Sequence, residues 1–534
     1  MKRKIVAIIM ALSLMLTGCN TIRSITSYIT GNVTYTTKGI QTDITGEYSE
    51  KALDSSWSNE EATTVAASNE NVEISGDGAE EKDGVITISK TGTYVFSGEM
   101  AEGQIKVSAK DENVKIVFNG FAISSTSVAP IVVGEAKNVY VTLADGTENT
   151  VTDGRSELTE TEEYTAAIYS KDDLFINGTG SLKVEANAKD GIKGNDDVKL
   201  VSGTINVTAA DDGIIGNDTI SIKEAAITIK AEDDGIKVTN EEDTTKGYLV
   251  MDGGSLVTEC KDKGIDTVSL VVINAGTVDV TSENEGIQSL NIVINDGEVK
   301  IDSKDDGLNI SDGSGSDQME FGPRQLDEQN RNTTNQSLDS TNERPEKPQG
   351  NPQDNGQLEE RPEKNGDTDM ENFTPPTGDM QGQKPDETGG GMMDQDIDGA
   401  LIINGGNVTV YAQGDGLDSN GDIQINGGYT LVYGTTSGGN GAIDYNGTFE
   451  VNNGIIIVTS NGDMEQTISD SSAAGMETTL LEQSISAGTK VEIRGDNDEV
   501  LYSFTAEKEC RYIAVASTKV KEQSNVSFVT DGDE

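Results

Sequence analysis

A four-residue phrase recurs along this chain and constrains what it can fold into more than any other feature. It reads Lys189-Asp190-Gly191-Ile192, Asp211-Asp212-Gly213-Ile214, Asp233-Asp234-Gly235-Ile236 and Asp262-Lys263-Gly264-Ile265. It continues as Asn284-Glu285-Gly286-Ile287, Asp305-Asp306-Gly307-Leu308 and Gly414-Asp415-Gly416-Leu417, and a worn copy stands at Gly441-Ala442-Ile443-Asp444. The apolar residue falls at 192, 214, 236, 265, 287 and 308, so the steps are 22, 22, 29, 22 and 21. A period held this closely is the mark of units that stack on one another.

Two further beats share the period. One is an asparagine beside glycine, at Ile176-Asn177-Gly178, Ile273-Asn274-Ala275-Gly276, Ile294-Asn295-Asp296-Gly297, Ile403-Asn404-Gly405-Gly406 and Ile425-Asn426-Gly427-Gly428. The other is an alternating β-branched pair, as at Ile205-Asn206-Val207, Ile227-Thr228-Ile229 and Val278-Asp279-Val280. Helical periodicity is missing throughout. Three short strands and three turns in about 22 residues are what one coil of a parallel β-helix requires. An antiparallel sandwich would give hairpin turns and no strict repeat. The expected fold is therefore all-β, a right-handed parallel β-helix whose asparagines hydrogen-bond from coil to coil.

The pattern stops between Ser311 and about Gln395, where eight of the nine prolines lie among Gln, Asn, Glu, Met and Gly. Such a stretch cannot bury a core and reads as a disordered insertion. The repeat resumes at Leu401 with the same beats, so the insertion leaves one coil rather than separating two folds. The expected organisation is a signal peptide over 1–18, a flexible tether over 19–71 and β-helix over 72–310. The insertion then takes 311–396, further β-helix 397–480, and a small C-terminal β cap 481–534.

At the N-terminus, Lys2, Arg3 and Lys4 precede an apolar run from Ile5 to Leu16, too short to span a bilayer. It ends in Leu16-Thr17-Gly18-Cys19, which looks like a bacterial lipobox. The plainer alternative is an ordinary signal peptide followed by a chance cysteine. The lipobox reading puts a lipid on Cys19 and the protein on the extracellular face of the membrane. Cys260 and Cys510 show no CxxC spacing and read as unpaired buried thiols, though a disulfide between them is sterically open at this stage.

Composition then narrows the chemistry. The net charge is -54, from 93 acidic and 39 basic residues, which disfavours nucleic acid and favours cations. There is no histidine, so a histidine base, a His-ligated zinc and a Ser-His-Asp triad are all excluded. Stacked coils lie about 4.8 Å apart. Carboxylates at that spacing repel by roughly 1 kcal/mol in a water-like medium and about 3 to 4 kcal/mol at an effective dielectric near 20. Calcium, which takes oxygen ligands in flexible geometry, answers that repulsion. The candidate ligands are Asp190, Asp211, Asp212, Asp233, Asp234, Asp262, Asp266, Asp305, Asp306, Asp415, Asp418 and Asp444. For any one of them a solvated turn is the plainer role; the stack as a whole argues for metal. Lys193 and Lys237 follow the phrase in two coils. Either could serve as a base if its pKa were lowered, but acidic neighbours raise it, and neutralising the column is the simpler role.

With the phrase, the Ile-Asn-Gly-Gly beat, the lipobox and the insertion together, the chain resembles the calcium-binding parallel β-helix carbohydrate-binding proteins of clostridial and related bacteria. These are similar in fold to pectate-type polysaccharide lyases. The resemblance implies a calcium-stabilised, monomeric cell-surface protein that binds cellulose-like or polygalacturonate-like polysaccharide. In the lyases the calcium cluster draws on both acids, an acidic trailing residue and an Asp one coil earlier. Asp233, Asp234 and Asp212 match that set, but Lys237 stands where the third Asp would be. This departure weighs against lyase activity more than against calcium. The alternatives are a calcium-dependent lyase using Lys193 or Lys237, and a surface adhesin or spacer with no glycan ligand. Tyr411, Tyr429, Tyr433 and Tyr445 gather in the last regular coils and are candidates for stacking on sugar rings, with core-edge packing the plainer role for each.

Overall fold

The computed structural model describes residue 40 and residues 42–68, 71–159, 161–313 and 397–531. Cys19, the signal segment and, apart from 311–313, the insertion expected over 311–396 lie outside the described residues. What is described is almost entirely strand. A 26-stranded and a 13-stranded sheet run through it, with a third of three strands near the C-terminus. Antiparallel pairing among the described residues is confined to 63–88 and 455–530. Between them every pairing is parallel and joins equivalent positions of successive repeats.

One repeat shows why. Its strands are Ile214–Gly216, Thr219–Ile222 and Ala226–Ala231. The third alternates exposed and buried residues, so Ile227 and Ile229 point inward while Ala226 and Thr228 face out. The phrase's apolar residue joins a continuous interior column: Ile192 pairs with Ile214, then Ile236, Ile265, Ile287, Leu308, Leu417 and Ile443. The column also runs upstream through Ile86, Ile105, Ile131 and Ile168, where the phrase is absent. All of these side chains are buried.

The two glycine beats work differently. In the asparagine turns the backbone takes positive φ, for example +99° at Gly276 and +108° at Gly297, which favours glycine. In the Asp-Asp-Gly-Ile phrase the need is space rather than a turn. A Cβ on Gly213 would stand 2.5 Å from the Gly235 carbonyl and inside the Ile229 side chain.

The asparagine ladder forms downstream. Asn274 donates to Asp252 (2.8 Å), Asn295 to Asn274 (2.8 Å), Asn404 to Asn295 (2.8 Å), Asn426 to Asn404 (3.0 Å) and Asn452 to Asn426 (3.0 Å). Asn177 stands outside it, because the next coil places Val201 beyond the Ile176–Leu200 pair; Asn177 accepts instead from Thr142.

Residues 42–68, expected within the flexible tether, correct that reading. They run back along the coils as a packed strap. The carbonyl of Thr42 accepts from Asn295, that of Ile44 from Asn274, that of Glu47 from Lys199 and that of Ala52 from Asn177. Ile40 and Ile44 cover the outward-facing Val250, Val272, Val293 and Ile402, and Tyr48 covers Tyr140 and Phe175. Those outward residues are apolar because the strap shields them from water. Thr63–Ser68 then forms an ordinary strand.

Candidate functional site

The phrase delivers its acids at one edge of the 13-stranded sheet, and its two acidic positions behave unlike one another. The second acid turns inward and braces the next coil through its backbone. Asp212 Oδ1 accepts from the Asp234 amide (3.1 Å), Asp234 Oδ1 from Lys263 (2.9 Å), Asp306 Oδ1 from Asp415 (2.7 Å) and Asp415 Oδ1 from Gly441 (2.7 Å). Asp190 and Asp234 are wholly buried and Asp212 nearly so. One carboxylate oxygen is thus tied to structure, and the other is left for a counter-ion.

Upstream, lysines supply that counter-ion. Lys193 Nζ donates to Asp190 Oδ2 (3.2 Å) and Lys237 Nζ to Asp234 Oδ2 (2.5 Å). Lys237 also lies 3.8 Å from Asp212, and Lys189 pairs with Asp211. Two groups of carboxylate oxygens within 4.8 Å of one another occur here, Asp190–Asp211–Asp212 and Asp212–Asp233–Asp234. These groups could hold a metal ion, though the lysines already stand among them. Burial pushes Asp212 up to about 7, against the pull of Lys237, and burial likewise raises Asp190. Burial works to lower Lys237, but Asp234, Asp212 and Asp266 outweigh it and hold the ammonium above its usual range. A base needs the opposite shift, so the geometry gives Lys237 a counter-ion's role.

Downstream the trailing residues are Gln288, Asn309, Asp418 and Asp444, aligned with Asp266 in one register column. Residues 397–489 contain no lysine or arginine. Burial, then Asp418, Asp305 and Asp415, drive Asp306 well above the usual carboxyl range. Burial lifts Asp415 to about 6 and Glu285 to about 7. Asp444 accepts from Gln466.

Three buried oxygens along the column have no hydrogen-bond partner: Asp190 Oδ1, Glu285 Oε2 and Asn309 Oδ1. Gly414 occupies the first-acid position, where a Cβ would stand 2.6 Å from Asp305 Oδ1 and crowd Asp306 as well. The oxygen donors of this column, with one buried amide oxygen left unpaired at Asn309, are of the kind that a hard cation such as calcium takes.

The structure brings Asp233, Asp234 and Asp212 together, whereas Asp262 turns to its neighbours Asn284 (2.7 Å) and Lys263 (3.6 Å). Asp266 pairs in register with Lys237. Sequence reasoning missed Glu285 and the counter-ions Lys189 and Lys263. Their positions in the phrase were the available signal. It also missed a third carboxylate group, Asp173, Asp196 and Asp197, at a different corner of the coil. There burial and a hydrogen bond with Asp218 push Asp196 up to about 7.

The tyrosines do not form one platform. Tyr433 is buried, with its hydroxyl donating to Thr505 O (2.7 Å), which is the core-packing role and displaces the sugar-stacking alternative. Tyr429 packs into the C-terminal apolar cluster, and Tyr445 meets Phe449 edge-on while donating to Thr467 O. Tyr411 stacks on Tyr433 at 4.9 Å and 9°. Cys260 and Cys510 are both free and buried, and burial pushes their thiols up to about 12 and about 11.

Fold and site together define a stacked parallel-β protein with an acidic, metal-competent column. A family model described as carbohydrate-binding domain-containing protein matches residues 82–320. A carbohydrate-binding domain-containing protein of Acetivibrio thermocellus is 45% identical over 209 residues, which span 38% of this chain and 73% of that protein. The chain belongs to this carbohydrate-binding domain family. Among solved structures it is similar to the polysaccharide lyase-like protein from C. thermocellum, determined as a gadolinium derivative. That similarity has 34% identity, covers 47% of this chain and 98% of the other, and has a TM-score of 0.40.

Proposed function

We propose that this chain is a non-catalytic, monomeric carbohydrate-binding protein, tethered through a lipid on Cys19 to the extracellular face of a bacterial membrane and stabilised by calcium. Its ligand is a cellulose-like or polygalacturonate-like polysaccharide. In this reading the coils form a right-handed β-helix of about 22 residues per turn, closed at its C-terminal end by a β cap. Membership of the carbohydrate-binding family carries the glycan part. The calcium part is supported by the unpaired Asn309 oxygen, in register with Asp418, and by the repulsion of Asp306 by Asp418, Asp305 and Asp415. Bound there, calcium would neutralise the carboxylates and could bridge to an acidic sugar; the second acids hold adjacent coils together, and the trailing residues orient the remaining oxygens.

Affinity electrophoresis of the full chain through gels containing neutral or acidic polysaccharide, with calcium or with EDTA, tests the glycan reading. Retardation by at least one glycan is expected. No retardation by any of them overturns it in favour of a spacer or adhesin. Calorimetric titration with calcium should show binding, and a flat titration overturns the metal reading. Ultraviolet-absorbing unsaturated product from polygalacturonate in calcium would overturn the non-catalytic assignment.

A further inference from the structure

We infer that the slot between Tyr411 and Asp302 is a sugar-binding subsite for an uncharged, glucose-configured pyranose ring. The inference rests on the carbohydrate-binding reading above and gives it a place on the molecule. Asp302, Tyr411 and Tyr433 occupy one register position in three successive coils. Tyr433 and Tyr411 stack at 4.9 Å, close to the strand spacing of about 4.8 Å. A third ring would continue the stack at the next coil, but the short side chain of Asp302 stands there instead. A cavity of about 150 Å³ lies at this point, lined by Asp302, Ser303, Tyr411, Ala412, Gln413 and Lys508. Its lining includes Tyr411 but not Tyr433, so it opens on the ring face that Tyr433 does not cover.

The platform is held in place before any ligand arrives. Tyr433 supports one face of the Tyr411 ring, and the Tyr411 hydroxyl donates to Glu507 Oε2 (2.6 Å). A rigid aromatic face flanked by a carboxylate and an amide is the arrangement that recognises a pyranose. The ring stacks with the sugar's C–H face, and Asp302 and Gln413 meet its hydroxyls. A pyranose whose hydroxyls are all equatorial offers such a C–H face on either side, hence the glucose configuration.

Charge selects the class further. The acids around the slot, Asp302 and Glu507, repel a uronate. The one cation, Lys508, is already committed: its Nζ donates to the carbonyls of Ala412 (2.5 Å), Gly434 (2.7 Å) and Tyr433 (3.4 Å). It therefore offers little to a ligand carboxylate. Acidic polysaccharide, if bound, would have to reach the calcium column rather than this slot.

The test compares the full chain with Asp302→Phe, which fills the slot with the missing third ring, and with Tyr411→Ala, which removes the platform. Each is run through gels containing a soluble neutral β-glucan or polygalacturonate, and thermal unfolding checks that each variant is folded. The expected result is retardation of the unaltered chain by the β-glucan and about tenfold weaker binding in both variants, a loss of about 1.4 kcal/mol. Asp302→Phe leaves Tyr411 and Tyr433 in place, so its result stands even if Tyr411→Ala is unstable. Equal retardation of the unaltered chain and Asp302→Phe by β-glucan overturns the subsite. So does retardation by polygalacturonate alone, which leaves the broader glycan reading intact. No retardation by either polysaccharide overturns both.

Discussion

From Lys189 to Asp266 the acidic column contains Lys189, Lys193, Lys237 and Lys263, whereas from Asp305 to Asp444 the same phrase is followed by Asn309, Asp418 and Asp444. Upstream, ammonium groups sit against the second acids, and carboxylate oxygens of neighbouring coils come within 4.8 Å of one another. Downstream, burial and then the charges of Asp418, Asp305 and Asp415 raise Asp306, against the pull of the Asp415 amide. One motif thus meets its own repulsion in two ways. Where the chain provides a cation, the stack closes on itself. Where it provides oxygen instead, the proposed calcium would take the ammonium's place. A partly exposed ammonium is a fixed, built-in answer; a metal site can respond to its surroundings.

The comparison can be broken most sharply at Lys237. Lys237→Met removes the counter-ion of Asp234 and Asp212 and should cost about 2 to 3 kcal/mol, somewhat below the range for a fully buried pair because the lysine is partly exposed. Urea unfolding in EDTA would measure the loss. If the two stretches differ only in where the cation comes from, calcium should restore much of it; a variant unaffected by calcium would refute that equivalence.

A smaller effect comes from pH. Asp212 and Glu285 sit at about 7 and Asp415 at about 6 in the folded chain, all above the usual carboxyl value near 4. Folded chain therefore binds protons more tightly than unfolded chain through this window. In EDTA, stability should rise as pH falls from about 7.5 to about 5 and be lost again as pH rises. Calcium should flatten the part of this dependence that belongs to Asp415. A urea midpoint that falls on mild acidification would contradict the assignment. The smallest change expected is for Asn309→Lys, which copies the upstream solution into the downstream stretch. It should add about 1 kcal/mol in EDTA and weaken calcium binding in a calorimetric titration. Unchanged calcium affinity would place the ion elsewhere.

Much of the fold was legible from spacing. The interior column from Ile192 to Ile443 and the ladder from Asn274 to Asn426 follow from identical residues at one period. The coils containing Ile86, Ile105, Ile131 and Ile168 fell within the expected β-helix, but their register was not legible, because they lack the acidic phrase and their steps are irregular. The strap was hidden for another reason. Residues 42–56 are polar and aperiodic, and their contacts are made mostly by backbone carbonyls, which any residue supplies. The clue lay elsewhere, in unbroken apolar runs such as Leu270-Val271-Val272-Ile273, where a one-sided strand would alternate.

The sequence by itself determined that equivalent positions meet, since in-register parallel stacking brings every repeated residue to the same place at one strand spacing. It therefore determined a column of acids. Only the tertiary structure decided what each acid does. That depends on which oxygen turns toward the next coil's amide, whether a lysine three residues on reaches the other, and how closely the Asp305 and Asp306 oxygens approach Gly414. Those outcomes are set by distances of a few tenths of an ångström between side chains of different coils, and residue spacing along the chain does not encode them.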